Sequence, residues 1–136
     1  MDKITQSIID HSFEYAKDLL EDTGQCYPFG AFVDKDEVVH PLEFEITDKK
    51  NIPNNESVIW SLQKYCENEM AEGNIIAYGL TYEADVQLEE GAKSIETIAI
   101  DITNKEAETT PIHYFPYQII NEGNVKFGET FAVKRN

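Results

Sequence analysis

The chain has 136 residues, of which 41% are hydrophobic and 11% aromatic, the size and make-up of one folded domain rather than a disordered segment. Its 26 acidic residues face only 11 basic ones, a formal net charge of −15. A field of that sign repels phosphate backbones and anionic lipid, which excludes nucleic acid and a membrane surface as natural partners and favours a basic protein or a cation.

In chain order, residues 3–21 are expected to form the first helix. Ile4, Ile8, Ile9, Phe13, Ala16, Leu19 and Leu20 recur at three- and four-residue steps, which builds one broad apolar stripe. Gly24 is the expected stop, because helices often end on a residue with positive φ. Tyr27, Phe29, Ala31 and Val33 then alternate with period two, the mark of a strand. "DKDE" is the expected hairpin turn, and Val38 to Ile46 the returning strand, with Leu42, Phe44 and Ile46 on one face. Pro41 has no N–H to give a ladder, so that strand is expected at an edge or bulged.

"TDKKNIPNNES" reads as a polar loop, and Asn54 or Asn55 can cap the next helix by accepting from its free N–H groups. That helix is expected to reach about Glu72 and end at Gly73. Its buried stripe is Val58, Ile59, Leu62, Tyr65, Cys66 and Met70, with Trp60 at the margin.

Four strands are expected after it. In "NIIAYGLTYEADVQLEEG", Ile76, Tyr78, Leu80, Tyr82, Ala84, Val86 and Leu88 face one way, and Thr81, Glu83, Asp85 and Gln87 the other. "SIETIAIDIT" repeats the alternation, with Ile98, Ile100 and Ile102 inward and Thr97, Asp101 and Thr103 outward. "TPIHYFPYQII" and "VKFGETFAVK" follow, joined by "NEGN". Pro116 marks a bulge or a groove wall, and Gly128 a kink or close approach. Strands with one polar face belong to an antiparallel sheet covered on one side. The expected fold is therefore α+β, a single domain over residues 1–136. Two helices pack on one face of a roughly six-stranded, mainly antiparallel sheet in the order α-β-β-α-β-β-β-β.

No apolar run approaches the roughly 20 residues of a membrane span, and "MDKITQSIIDHSFEY" lacks the apolar centre and cleavage site of a signal peptide. A cytoplasmic protein is expected. Cys26 and Cys66 stand alone, in neither CxxC nor zinc spacing, which suits a reducing compartment. Cys26 with His113 or His40 makes a nucleophilic pair on paper only, since the acidic surroundings oppose thiolate formation. His11, His40 and His113 share no motif, and no GxSxG, P-loop or GxGxxG occurs. No catalytic residue, metal site or cofactor is assigned.

Two sets of residues remain as candidates. Glu83, Asp85 and Asp101 would form an outward acidic face that steers toward a basic protein partner. Tyr27, Phe29, Phe115 and Tyr117 would rim an aromatic pocket between helices and sheet, the arrangement of a small-molecule-binding domain or enzyme. The favoured expectation is a non-catalytic protein-interaction module, of which a toxin-neutralising immunity protein is one form. A monomer, or a homodimer through an edge strand, fits the pattern.

"YPFGAFVDKDEVV", "AYGLTYEADVQL", "ETIAIDITNKEAETTPIHYFPY" and "VKFGETFA" resemble a family of small uncharacterised bacterial proteins. That family has an early aromatic-Pro-Phe-Gly/Ala hairpin and a closing Phe-Gly-Glu-x-Phe-Ala strand. The resemblance implies a bacterial, cytosolic single domain and carries no activity, cofactor or site residue. Glu37 stands where the family's first turn would hold glycine.

Overall fold

The computed structural model describes residues 2–46, 50–106 and 110–134. Parts of the polar loop (47–49), of the segment "ETIAIDITNKEAETTPIHYFPY" (107–109) and of the terminal "AVKRN" (135–136) lie outside the described residues. Helix α1 spans Lys3–Thr23, β1 Phe29–Asp34, β2 Val39–Leu42, α2 Asn55–Ala71, β3 Ile75–Val86, β4 Ile95–Asn104, β5 Ile112–Asn121, β6 Asn124–Phe127 and β7 Phe131–Val133. Among the described residues, the strands form one seven-stranded sheet in the order β2-β1-β3-β4-β5-β6, with β7 also pairing with β5, and the pairings are antiparallel. This is the α+β order expected from the sequence, with the closing strand divided in two.

The division has a local cause. Tyr117 pairs with Phe127 and Tyr114 with Phe131, so three residues, 128–130, oppose two on β5. Gly128 N–H still donates to Pro116 O at 2.9 Å. The closing strand therefore bulges where proline interrupts its neighbour, since Pro116 has no N–H to offer a ladder.

The helix ends follow their chemistry. Asp2 caps α1 by accepting from Thr5 N–H at 2.8 Å, and Gly24 stops it at φ 75°. Asn54 caps α2 by accepting from Ser57 N–H at 2.8 Å. In the first hairpin, Asp34 accepts from the N–H groups of Asp36 and Val38 and meets His40 Nε2 at 2.7 Å. Hydrogen bonding from His40 and then from Val38 holds the Asp34 carboxyl below its ordinary pKa. Glu37 takes φ 64° in this turn, the left-handed region that ordinarily favours glycine.

The second strand is shorter than expected. It ends at Leu42 on the sheet edge. Beyond it Glu43 accepts a hydrogen bond from the Tyr15 hydroxyl, and Phe44 packs with the α2-side core. Side-chain contacts, not a ladder, hold residues 43–44.

The larger correction concerns the layers: the helices do not share a face. A Cβ on Gly79 would lie 2.6 Å from Ile8 Cγ2, so α1 presses on the face that carries Gly79. Its neighbours Tyr78 and Leu80 pack instead with Val58, Leu62 and Cys66 of α2. Successive residues of a strand point to opposite faces, so the sheet lies between the two helices. The pairing register explains why. Gly79, Thr81 and Glu83 pair with Ile102, Ile100 and Ile98, and directly paired residues share a face. The apolar phase of β4 therefore joins the mixed phase of β3, while Tyr78, Leu80 and Tyr82 look the other way. β3 is thus buried on both faces over most of its length.

The α1-side core holds Ile8, Ile9, Ala16, Leu20, Phe29, Val33, Ile98, Ile100 and Ile102. The α2-side core holds Val58, Leu62, Cys66, Ile75, Tyr78 and Leu80. Tyr65, expected in the α2 stripe, is 45% exposed, and Trp60 is 62% exposed with Lys64 Nζ 5.9 Å from its ring centre. Among the described residues, no helix is long and apolar enough to cross a membrane.

Candidate functional site

The register that separates the helices also separates the predicted acidic face. Glu83 pairs with Ile98 and Asp85 with Glu96, on the α1 side. Asp101 pairs with Leu80 and Ile112, on the α2 side. Asp101 therefore does not join Glu83 and Asp85. The residue that does is Glu96, exposed and directly opposite Asp85.

Glu83, Asp85, Glu96 and Tyr117 line a depression of about 270 Å³ beside the β3–β4 hairpin, completed mainly by Asn55 and Thr97. Each side chain arrives there for a local reason. Glu83 is half-buried because the chain leaving α1 crosses it, and Cys26 N–H donates to Glu83 Oε1 at 2.7 Å. Asp85 and Glu96 close the strand pair near the hairpin, where the sheet runs out beyond the helix. Tyr117 follows Pro116, which pairs with Thr97, and so stands on the Glu96 face. Thr97 and Ala84, in the opposite phase, and Asn55 at the start of α2 reach the depression from the other face, and Thr97 Oγ1 donates to Ala84 O at 2.8 Å.

The electrostatics are one-sided. Among the described residues, neither the His40–Asp34 nor the Lys64–Glu67 ion pair touches Glu83, Asp85 or Glu96. Burial first, and then the charges of Glu83 and Glu96, push the Tyr117 phenol well above its ordinary pKa, so it stays neutral. Among the described residues, no three His, Cys, Asp or Glu side chains gather closely enough to hold a metal ion.

The four aromatic candidates are not brought to one cavity. Tyr27 and Phe29 line a separate depression of about 170 Å³ with Tyr15, Leu19, Glu43 and Phe44. Phe29 packs edge-on against Tyr15, whereas Phe115 packs on Phe13, 4.9 Å between ring centres. Tyr117 alone belongs to the acidic depression. Tyr27 turns toward the α2 side, and its hydroxyl donates to Pro53 O at 3.0 Å.

The thiols are divided by the sheet, Cys26 on the α1 side and Cys66 on the α2 side, both buried. Burial, then Glu83, pushes Cys26 up to about 12, and burial, then Glu69, pushes Cys66 up to about 12. A thiol in that state is a poor nucleophile at neutral pH.

The fold and this depression define an α+β domain with an acidic concavity at one end of its sheet, which no cation among the described residues neutralises. No family model, curated protein or solved structure matches the chain.

Proposed function

We propose that the protein is a non-catalytic, cytoplasmic protein-interaction module that captures a basic partner at the acidic hairpin end of its sheet. The observation that carries this reading is the convergence of Glu83, Asp85 and Glu96 on one depression without an ion-pairing cation among the described residues. The net charge of −15 adds long-range attraction for a basic protein. The raised thiol pKa values and the separation of Cys26 from Cys66 favour binding over nucleophilic chemistry. A toxin-neutralising immunity protein is one form of the proposal, and the resemblance of the "YPFG" and "FGETFA" segments to small bacterial proteins is compatible with it. The alternative, a small-molecule site at Tyr27 and Phe29, has less support: its 170 Å³ falls below the roughly 300–1,000 Å³ of typical ligand pockets.

The test is capture of a defined basic protein by the immobilised full chain at low salt. Binding should weaken steeply as ionic strength rises, because exposed charges are screened within about 10 Å at 0.1 M salt. It should be lost in the Asp85→Lys, Glu96→Lys double variant. A partner that is acidic, or that ignores both salt and charge reversal, sinks the proposal.

A further inference from the structure

The hairpin depression holds more than a solvated acidic rim requires. Asp85 and Glu96 pair directly across two strands, and like charges so placed destabilise a sheet. Tyr117 is only 8% exposed and lines the same depression. Its hydroxyl makes no hydrogen bond among the described residues, and its oxygen keeps contact with solvent, so it is open to a ligand. Carboxylates without an ion-pair partner among the described residues and an unused hydroxyl thus share one space of about 270 Å³.

We propose that this depression takes the guanidinium head of one arginine side chain from a basic protein partner, held by the carboxylates of Asp85 and Glu96 and the hydroxyl of Tyr117. This deepens the partner-binding reading above and rests on it.

Three considerations select guanidinium. The space is smaller than a typical ligand pocket, which spans roughly 300–1,000 Å³, and suits the end of a single side chain. The carboxylates are not gathered as a metal cluster, so the charge they attract is better spread over several atoms. A guanidinium offers five donors in a plane and is more weakly hydrated than an ammonium. It can therefore serve two carboxylates and a phenolic oxygen together. Glu83 already accepts from Cys26 N–H through one oxygen, which fixes it as a source of field rather than a mobile clamp. Tyr117, kept neutral, accepts from the ligand through its phenolic oxygen.

The experiment titrates N-acetyl-arginine amide and, separately, N-acetyl-lysine amide into the isotope-labelled full chain. It follows the backbone amides of Ala84, Glu96 and Thr97 by NMR. The arginine probe should saturate at millimolar concentrations and bind at least about 5-fold more tightly than the lysine probe. Tyr117→Phe should weaken it by about 10-fold or more, the size of one hydrogen bond to a charged group. Glu96→Gln, at an exposed position where folding is not at stake, should weaken it by about 5-fold or more. Equal affinity for both probes, indifference to Tyr117→Phe and Glu96→Gln, or no saturable response overturns the proposal. Loss of the guanidinium response with salt-sensitive capture of a basic protein intact removes this pocket and leaves the partner reading. A guanidinium response without any basic partner removes that reading instead.

Discussion

The two faces of the sheet are built on different terms. On one side α1 crosses β1, β3 and β4 and reaches β6, over a floor of fully buried isoleucines: Ile98, Ile100 and Ile102. On the other side α2 packs chiefly on β3 and β1, through Val58, Leu62 and Cys66 against Tyr78 and Leu80. The first helix lies close because Gly79 presents no side chain beneath Ile8. The second rests on rings. The face under α1 is thus dry and closely packed in its middle, and it becomes acidic only beyond the helix, at the hairpin. A closely packed helix and an acidic site can share one sheet because the site sits at the hairpin end, where residues of both phases meet.

The comparison breaks most directly in the core. Ile100→Ala should cost about 4 kcal/mol and Leu62→Ala about 2–3 kcal/mol, since a cavity costs most where surroundings cannot collapse. Urea unfolding measures both, and equal losses would mean that the two cores are equally rigid. Gly79→Ala comes next. Its new Cβ, 2.6 Å from Ile8 Cγ2, should destabilise by about 2 kcal/mol through overpacking. A double-mutant cycle with Ile8→Ala should show the two changes strongly non-additive, whereas additivity would mean that α1 is not seated on Gly79.

Thr81→Val sharpens the same point with a smaller effect. Thr81 is fully buried and its Oγ1 has no hydrogen-bond partner among the described residues. Replacing the hydroxyl by a methyl should stabilise the protein by about 1 kcal/mol, because an unsatisfied buried hydroxyl costs that order of energy. A loss on that substitution would show that the α1 face is wetter than it looks.

The thiols probe both faces at once. Each has its pKa raised from 9.0 to about 12. The unfolded chain therefore releases these protons first as pH rises. Their contribution to stability is fully present below about pH 9 and is lost progressively toward pH 12. Denaturant midpoints from pH 8 to 11 should fall, and should fall less in Cys26→Ala and in Cys66→Ala. A thiol-reactive dye at pH 8 should label neither cysteine until the protein unfolds. Rapid labelling of Cys66 alone would show that the α2 side opens locally.

What the sequence reveals here is what depends on neighbours along the chain. The three- and four-residue steps of α1, the caps at Gly24 and Asn54, the alternation of β3 and β4 and the edge position of Pro41 all follow from local geometry. The set of side chains at the site does not. Glu96 is in phase with Ile98, Ile100 and Ile102 along β4, a charged residue on an apolar phase, and that irregularity was the available signal. Glu83 and Asp85 are in phase with Gly79 and Thr81 along β3. Nothing within either strand says which phase of one meets which phase of the other.

Only the tertiary pairing decides that, because shifting a register by one residue turns every side chain to the opposite face. Here Glu83 pairs with Ile98 and Leu80 with Asp101. That choice put the helices on opposite sides of the sheet, removed Asp101 from the acidic group, brought in Glu96 and set Tyr117 beside it. Periodicity along one strand determines what alternates, whereas contact between strands determines what meets.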